Sequence, residues 1–179
     1  MKMAKRILSL VLVLAMVACL GVTAFAEDGT TTTYTVSIYV QDAMRDADDN
    51  VVYAVPYNTT PIAVDVAAGS TLKDAINEAC NTEGSLITSP VWKTSDSQFL
   101  TALSVDGTPY ENQDSFTYDS PEVGKATYEG SSWMYFDGEP AAMPASSYNY
   151  PNVSLGKRVV NSDMTITLSY EFLTYIWTY

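Results

Sequence analysis

From Tyr34 onward, apolar and polar residues alternate with a period of two. Tyr34, Val36, Ile38 and Val40 fall on one face, and Thr35, Ser37, Tyr39 and Gln41 on the other. That is the pattern of a half-buried strand. An acidic, turn-like stretch at 42–50 follows, and 51–55 resumes β character until Pro56 ends it. Ile62, Val64 and Val66 alternate again, opposite Ala63 and Asp65, so the opening reads as a hairpin with a ragged, extended loop. The period then changes. Leu72, Ala75, Ile76, Ala79 and Cys80 stand at i, i+3, i+4, i+7 and i+8, one apolar stripe of a helix. Ser70 or Thr71 can accept a hydrogen bond from the first-turn amides, and Asp74 complements the positive end of the helix dipole.

Beyond the helix the period of two returns. A strand is predicted over 98–105, closed by the turn dipeptide Asp106-Gly107, and a short aromatic strand over 133–136, closed by Asp137-Gly138. The last strand alternates most cleanly: Met164, Ile166, Leu168, Tyr170 and Phe172 against Thr165, Thr167, Ser169 and Glu171. The stretches 108–131 and 139–160, rich in Ser, Pro, Tyr and Gly, have no helical period and are predicted as ordered loops or small edge strands. The element order predicts an α+β, β-grasp-like fold, with one helix packed on a mostly antiparallel mixed sheet and long loops.

The N-terminus changes how the composition is counted. Lys2, Lys5 and Arg6 precede an apolar run from Ile7 to about Leu20, and Ala24-Phe25-Ala26 supplies a small-x-small cleavage pattern. Residues 1–26 therefore read as a secretory signal cut after Ala26, with lipid attachment at Cys19 as the alternative processing route. The apolar run is short for a stable membrane span. Residues 27–33 read as a flexible tether, and 34–179 as a single domain on the secreted or extracellular side. Loss of the three cations takes the formal charge from −12 to −15. Such a surface excludes nucleic acid, whose phosphates need Lys and Arg, and disfavours anionic membranes. Only Cys80 remains after cleavage, so the domain is expected to hold together by core packing, without an internal disulfide.

Candidate chemistry is sparse. The chain has no histidine, which removes the commonest general base and the Ser-His-Asp arrangement. Cys80, on the core stripe, reads as a small buried hydrophobe. No phosphate loop is present, and nothing in the spacing of the carboxylates selects a hydrolytic pair. The chain is therefore expected not to be an enzyme and to require no cofactor. Asp42, Asp46, Asp48, Asp49 and Asn50 crowd oxygens together but lack the Gly and the closing Glu of a calcium loop, so a solvated hairpin loop is expected there and no metal. Asn58 and Asn152 begin glycosylation sequons.

Four segments in order resemble one known family. The helix lead-in Val64-Asp65-Val66-Ala67-Ala68-Gly69-Ser70-Thr71-Leu72-Lys73-Asp74-Ala75 is followed by FLTALSVDG at 99–107, GSSWMYFDG at 130–138 and NSDMTITLSYEF at 161–172. Together they are similar to the transcobalamin-like C-terminal domains, a β-grasp family, over residues 34–172. The resemblance implies ligand capture, with a corrinoid such as cobalamin as the ligand. In transcobalamin and intrinsic factor such a domain closes one side of the ligand against a helical barrel, for which this chain has no room. It also implies ligand-binding roles for Leu100 and Trp133, with Tyr135 two residues on, on the same side of the sheet. Packing is the competing role for Trp133 and Tyr135.

Two functions follow. One is a small-molecule-binding module, with corrinoids as the specific ligand class. The other is an extracellular interaction or adhesion domain for a protein or a surface polymer. The second rests on 13 tyrosines, on Tyr148-Asn149-Tyr150 and on the aromatic tail Tyr175-Ile176-Trp177-Thr178-Tyr179.

Overall fold

Two strands whose residues are buried on both faces form the centre of the molecule. The computed structural model describes residues 31–93, 98–118 and 124–178. The predicted signal at 1–26 with Cys19, most of the predicted tether, Tyr179 and the side chains of Tyr175 and Trp177 lie outside the described residues. Strand β1 (Thr33–Arg45) runs parallel to the last strand, β9 (Met164–Thr178), with Val36 opposite Met164 and Met44 opposite Phe172. On the other edge of β1, β3 (Ile62–Ala67) pairs antiparallel with its first half and β2 (Val51–Pro56) with its second. β8 (Lys125–Asp137) pairs antiparallel with the whole of β9, and β7 (Gln113–Tyr118) pairs with β8 only from Ala126 to Ser131.

The gap between β2 and β3 is closed by one side chain. Asn58 Oδ1 accepts from the Val40 N–H at 2.8 Å, and its Nδ2 donates to Ile38 O at 3.2 Å and to Thr60 O at 2.9 Å. The amide thus stands in for the missing stretch of ladder and leaves no buried peptide group of β1 orphaned there. Both Nδ2 hydrogens of the Asn58 sequon are committed.

The helix α1 (Leu72–Asn81) lies on one face of this sheet with Leu72, Ala75, Ile76 and Ala79 buried. Thr71 and Asp74 form a reciprocal capping box: Thr71 N–H donates to Asp74 Oδ2 at 2.8 Å and Asp74 N–H to Thr71 Oγ1 at 3.3 Å. The next two orphan amides find partners outside the helix, Leu72 N–H on Arg158 O at 2.9 Å and Lys73 N–H on Leu155 O at 3.1 Å. A second sheet of β4 (Ile87–Trp92), β5 (Leu100–Val105) and β6 (Thr108–Glu111) covers the same face beside the helix. Its turn is Asp106-Gly107, with both φ angles positive at 48° and 75°, as a tight two-residue hairpin turn demands. Val36, Ile38, Val40, Ile166 and Leu168 from below meet Leu72, Ile76, Ile87, Leu103 and Val105 from above. Each buried Leu or Ile contributes about 1.5–3 kcal/mol.

The expected fold, a β-grasp-like α+β arrangement with one helix on a single mixed sheet and long loops, is therefore corrected. Strands dominate, they form two sheets, and the ten-residue helix shares its face with the second sheet. The physical reason lies in strands that lack alternation. β4 reads Ile-Thr-Ser-Pro-Val-Trp, is bulged against β5, and carries Ser89 at φ 53°. β6, β7 and the first part of β8 lie in the polar stretch 108–131. The acidic stretch 42–50 is also shorter as a turn than expected, since β1 continues through Arg45. Among the described residues no helix is long and apolar enough to cross a membrane.

Candidate functional site

Because β7 stops pairing at Ser131, the outer edge of β8 beyond it faces a groove rather than a strand. The groove has a volume of about 780 Å³. Its floor is Leu100, Trp133 and Tyr135, which are 3%, 7% and 7% exposed. One wall is Lys93 and residues 98–101, the other residues 150–155 with Lys157. The three residues singled out from the sequence are thus brought together on one surface, with only a small part of each accessible.

Packing fixes each of them. The Trp133 indole lies 5.2 Å from the Tyr170 ring and 6.4 Å from Tyr110, centroid to centroid, and its Nε1 donates to Tyr110 O at 3.0 Å. Tyr110 in turn stacks edge-on with Tyr57 and Tyr170, and the Tyr57 hydroxyl donates to the Tyr110 hydroxyl at 2.6 Å. This aromatic cluster joins the small sheet to the large one. The Tyr135 hydroxyl donates to Val153 O, anchoring the second wall, and burial raises its phenol above the ordinary value. Trp133 and Tyr135 are therefore packing residues whose remaining edges form the groove floor. The aromatic surface that does stand free is Phe99, 51% exposed at the rim.

Asn112 closes one end. Its Oδ1 accepts from the Trp133 N–H at 3.0 Å and its Nδ2 donates to Leu100 O at 3.3 Å, clamping β8 to β5. At the other end Gly156 N–H donates to Gln98 O at 3.1 Å and Ser154 Oγ to Gln98 Oε1 at 3.2 Å. The walls are tied to each other and, through Leu155 and Arg158, to the helix N-terminus.

A second device holds the 150s wall from the opposite face of the large sheet. Thr167, Ser169 and Glu171, on the polar side of β9, are completely buried, together with Gln41 and Arg45. Arg45 Nε donates to Glu171 Oε2 at 3.1 Å, and its remaining N–H groups reach Asp49 O, Ala145 O, Pro144 O and the Tyr150 hydroxyl. The Tyr150 hydroxyl donates to the other Glu171 oxygen. Burial and then the Glu171 charge raise the Tyr150 phenol above its ordinary value. Asp49 accepts from Ser146 Oγ at 2.6 Å and Ser147 N–H at 2.8 Å. Burial opposes the Asp49 charge, yet these bonds and Arg45 outweigh it, and the carboxyl lies below its ordinary range. The segment preceding Pro151 is thereby pinned to the sheet, and Tyr150 itself lines the groove.

Apart from Asp49, the tip of the acidic turn is held by its own residues. Asp46 Oδ1 accepts from the N–H groups of Asp48 at 3.0 Å and Asn50 at 2.9 Å. Among the described residues no group of three His, Cys, Asp or Glu side chains is placed to hold a metal ion. Cys80 is half-buried, and desolvation pushes its thiol up to about 11. The chain matches no protein-family model, no curated protein and no solved structure.

Proposed function

We propose that this chain is an exported, non-catalytic module that binds a small molecule, or one apolar face of a larger one, in the groove between β5, β8 and the 150s segment. The observation that carries this reading is the convergence of Leu100, Trp133 and Tyr135 on one groove. Its volume falls within the range of small-molecule sites, about 300–1,000 Å³, and its walls are held by hydrogen bonds on three sides, so little ordering cost attends binding. Two of the four segments that resemble transcobalamin-like domains, those on β5 and β8, border the groove, which makes corrinoids the ligand class to try first. Support for corrinoids comes from those motifs and the groove, not from the sheet topology.

The test is titration of purified protein with cobalamin and cobinamide, read by tryptophan fluorescence corrected for absorption by the ligand. Saturable quenching is expected, weakened about tenfold by Phe99→Ser, since one aromatic contact at a partly open site contributes about 1–1.5 kcal/mol. Absence of saturable quenching up to high micromolar ligand sinks the corrinoid assignment.

A second reading, an extracellular interaction domain, has one observation in its favour. β2 carries no charged residue, its Val52 and Val55 are 56% and 57% exposed, and no described strand pairs with its outer edge. Such an edge is a template for strand addition. Loss of a partner's binding in Val52→Lys, with the groove variants unaffected, would favour this reading.

A further inference from the structure

Two of the cations in this acidic chain line the groove. Among the cations whose side chains are described, Arg45 pairs with Glu171 and Asp49, Arg158 pairs with Asp137 at 3.0 Å, and Lys73 lies over the Trp92 ring at 5.4 Å. Lys73, Lys93 and Lys157 have no carboxylate within ion-pair distance among the described residues, and the last two line the groove. Lys93 Nζ sits 5.9 Å from the centroid of the exposed Phe99 ring, so its charge lies directly over the free aromatic surface at the rim. The carboxylate that also lines the groove, Asp114, is engaged by the Tyr128 hydroxyl.

In a chain of formal charge −12, two ammonium groups with no carboxylate partner among the described residues, at the mouth of an apolar groove, create a local field opposite to that of the whole. Long-range repulsion keeps anions off the rest of the surface, while these two attract them within a Debye length, about 8–10 Å. We infer that the groove selects an anionic amphiphile: a molecule with a flat apolar body for Phe99, Leu100 and the Trp133 edge, and a carboxylate, sulfonate or phosphate for Lys93 and Lys157. The inference rests on the groove being a small-molecule site, and it adds the charge class of the ligand.

Two dyes with one aromatic skeleton separate the claims. 1-Anilinonaphthalene-8-sulfonate carries the anion; N-phenyl-1-naphthylamine lacks it. With the mature secreted protein at low salt, the sulfonate is expected to bind at one per chain, about tenfold tighter than the neutral dye. That preference is expected to shrink with added salt and to fall to near one in Lys93→Gln/Lys157→Gln, whose two exposed sites leave the fold intact by circular dichroism. Lys73→Gln, a cation away from the groove, is expected to keep it. Equal affinity for the two dyes in the wild type, or a preference that survives the double substitution, overturns the anion inference and leaves the groove standing as a neutral site. Failure of both dyes to bind overturns the groove as a ligand site, and the inference with it.

Discussion

Removing Arg45 exposes how much the wall of the groove depends on a buried ion cluster. Its side chain is 1% exposed and that of Glu171 is 0%. The guanidinium donates to five acceptors, from Glu171, Asp49, Pro144, Ala145 and Tyr150, which uses all the N–H groups an arginine has. Arg45→Met fills most of the volume but leaves the Glu171 carboxylate buried with only the Tyr150 hydroxyl, and a stranded buried charge costs about 3–5 kcal/mol. Glu171→Met is milder, about 2–4 kcal/mol, because Asp49 Oδ1 remains 3.5 Å from Arg45 Nη1. In the double variant the Glu171 charge is gone and only Asp49, 18% exposed and still bonded to Ser146 and Ser147, loses its cation, so the cost is expected at about 1–3 kcal/mol, set by that carboxylate and the orphaned carbonyls and hydroxyl. The three variants are compared by urea unfolding at pH 7, with the double costing at least about 2 kcal/mol less than the sum of the singles. Additive costs, or an Arg45→Met loss under about 1 kcal/mol, would mean that the cluster is solvated and does not pin the 144–150 segment.

Two further outcomes follow from burial. The phenols of Tyr57 and Tyr150 are raised, each first by burial, Tyr57 next by its bond to Tyr110 and Tyr150 next by the Glu171 charge. A raised folded-state value means a contribution that is complete below the ordinary phenol value of 10.0 and drains away as the pH rises above it. The urea midpoint is therefore expected to begin falling near pH 9, where the raised Cys80 thiol starts to contribute, and to fall more steeply beyond pH 10, whereas Tyr150→Phe, already less stable at neutral pH, should lose less over the same rise. Cys80, with its thiol held near 11 against an ordinary 9.0, has about a hundredfold less thiolate than a free cysteine at pH 8. Thiol titration should be slow in native protein and prompt in urea, and fast native labelling would place Cys80 outside the helix–sheet seam.

The strongly alternating segments were legible in the sequence because one side of each is aliphatic or aromatic and packs in the core, while the other is mostly polar. The helix stripe at Leu72, Ala75, Ile76 and Ala79 is of the same kind, and so is the cap, where Thr71 proved to be the capping residue of the two considered. What the pattern could not carry was the small sheet. β6 has Tyr110 as its one half-buried residue, and its place is set by the Trp133 and Tyr57 contacts, which are remote in sequence. The burial of the polar side of β9 was not legible for a related reason: Thr167 is met by Gly138 O, Ser169 by Gln41, and Glu171 by Arg45 and Tyr150, all remote in sequence. A buried carboxylate whose cation lies 126 residues away leaves no periodic trace. At the groove, the sequence pointed to Leu100, Trp133 and Tyr135 through motif resemblance. Phe99, Lys93 and Lys157 were missed; the one available signal was the scarcity of lysine in so acidic a chain.

The central claim is that the groove beside the unpaired end of β8 is where a small molecule binds. Amide chemical-shift mapping of labelled protein during titration with 1-anilinonaphthalene-8-sulfonate tests it residue by residue. The expected result is saturable shifts concentrated at 98–101, 132–135 and 150–157, with β2 and the outer face of the helix unmoved. Shifts centred on β2, or scattered with no saturation, would contradict it.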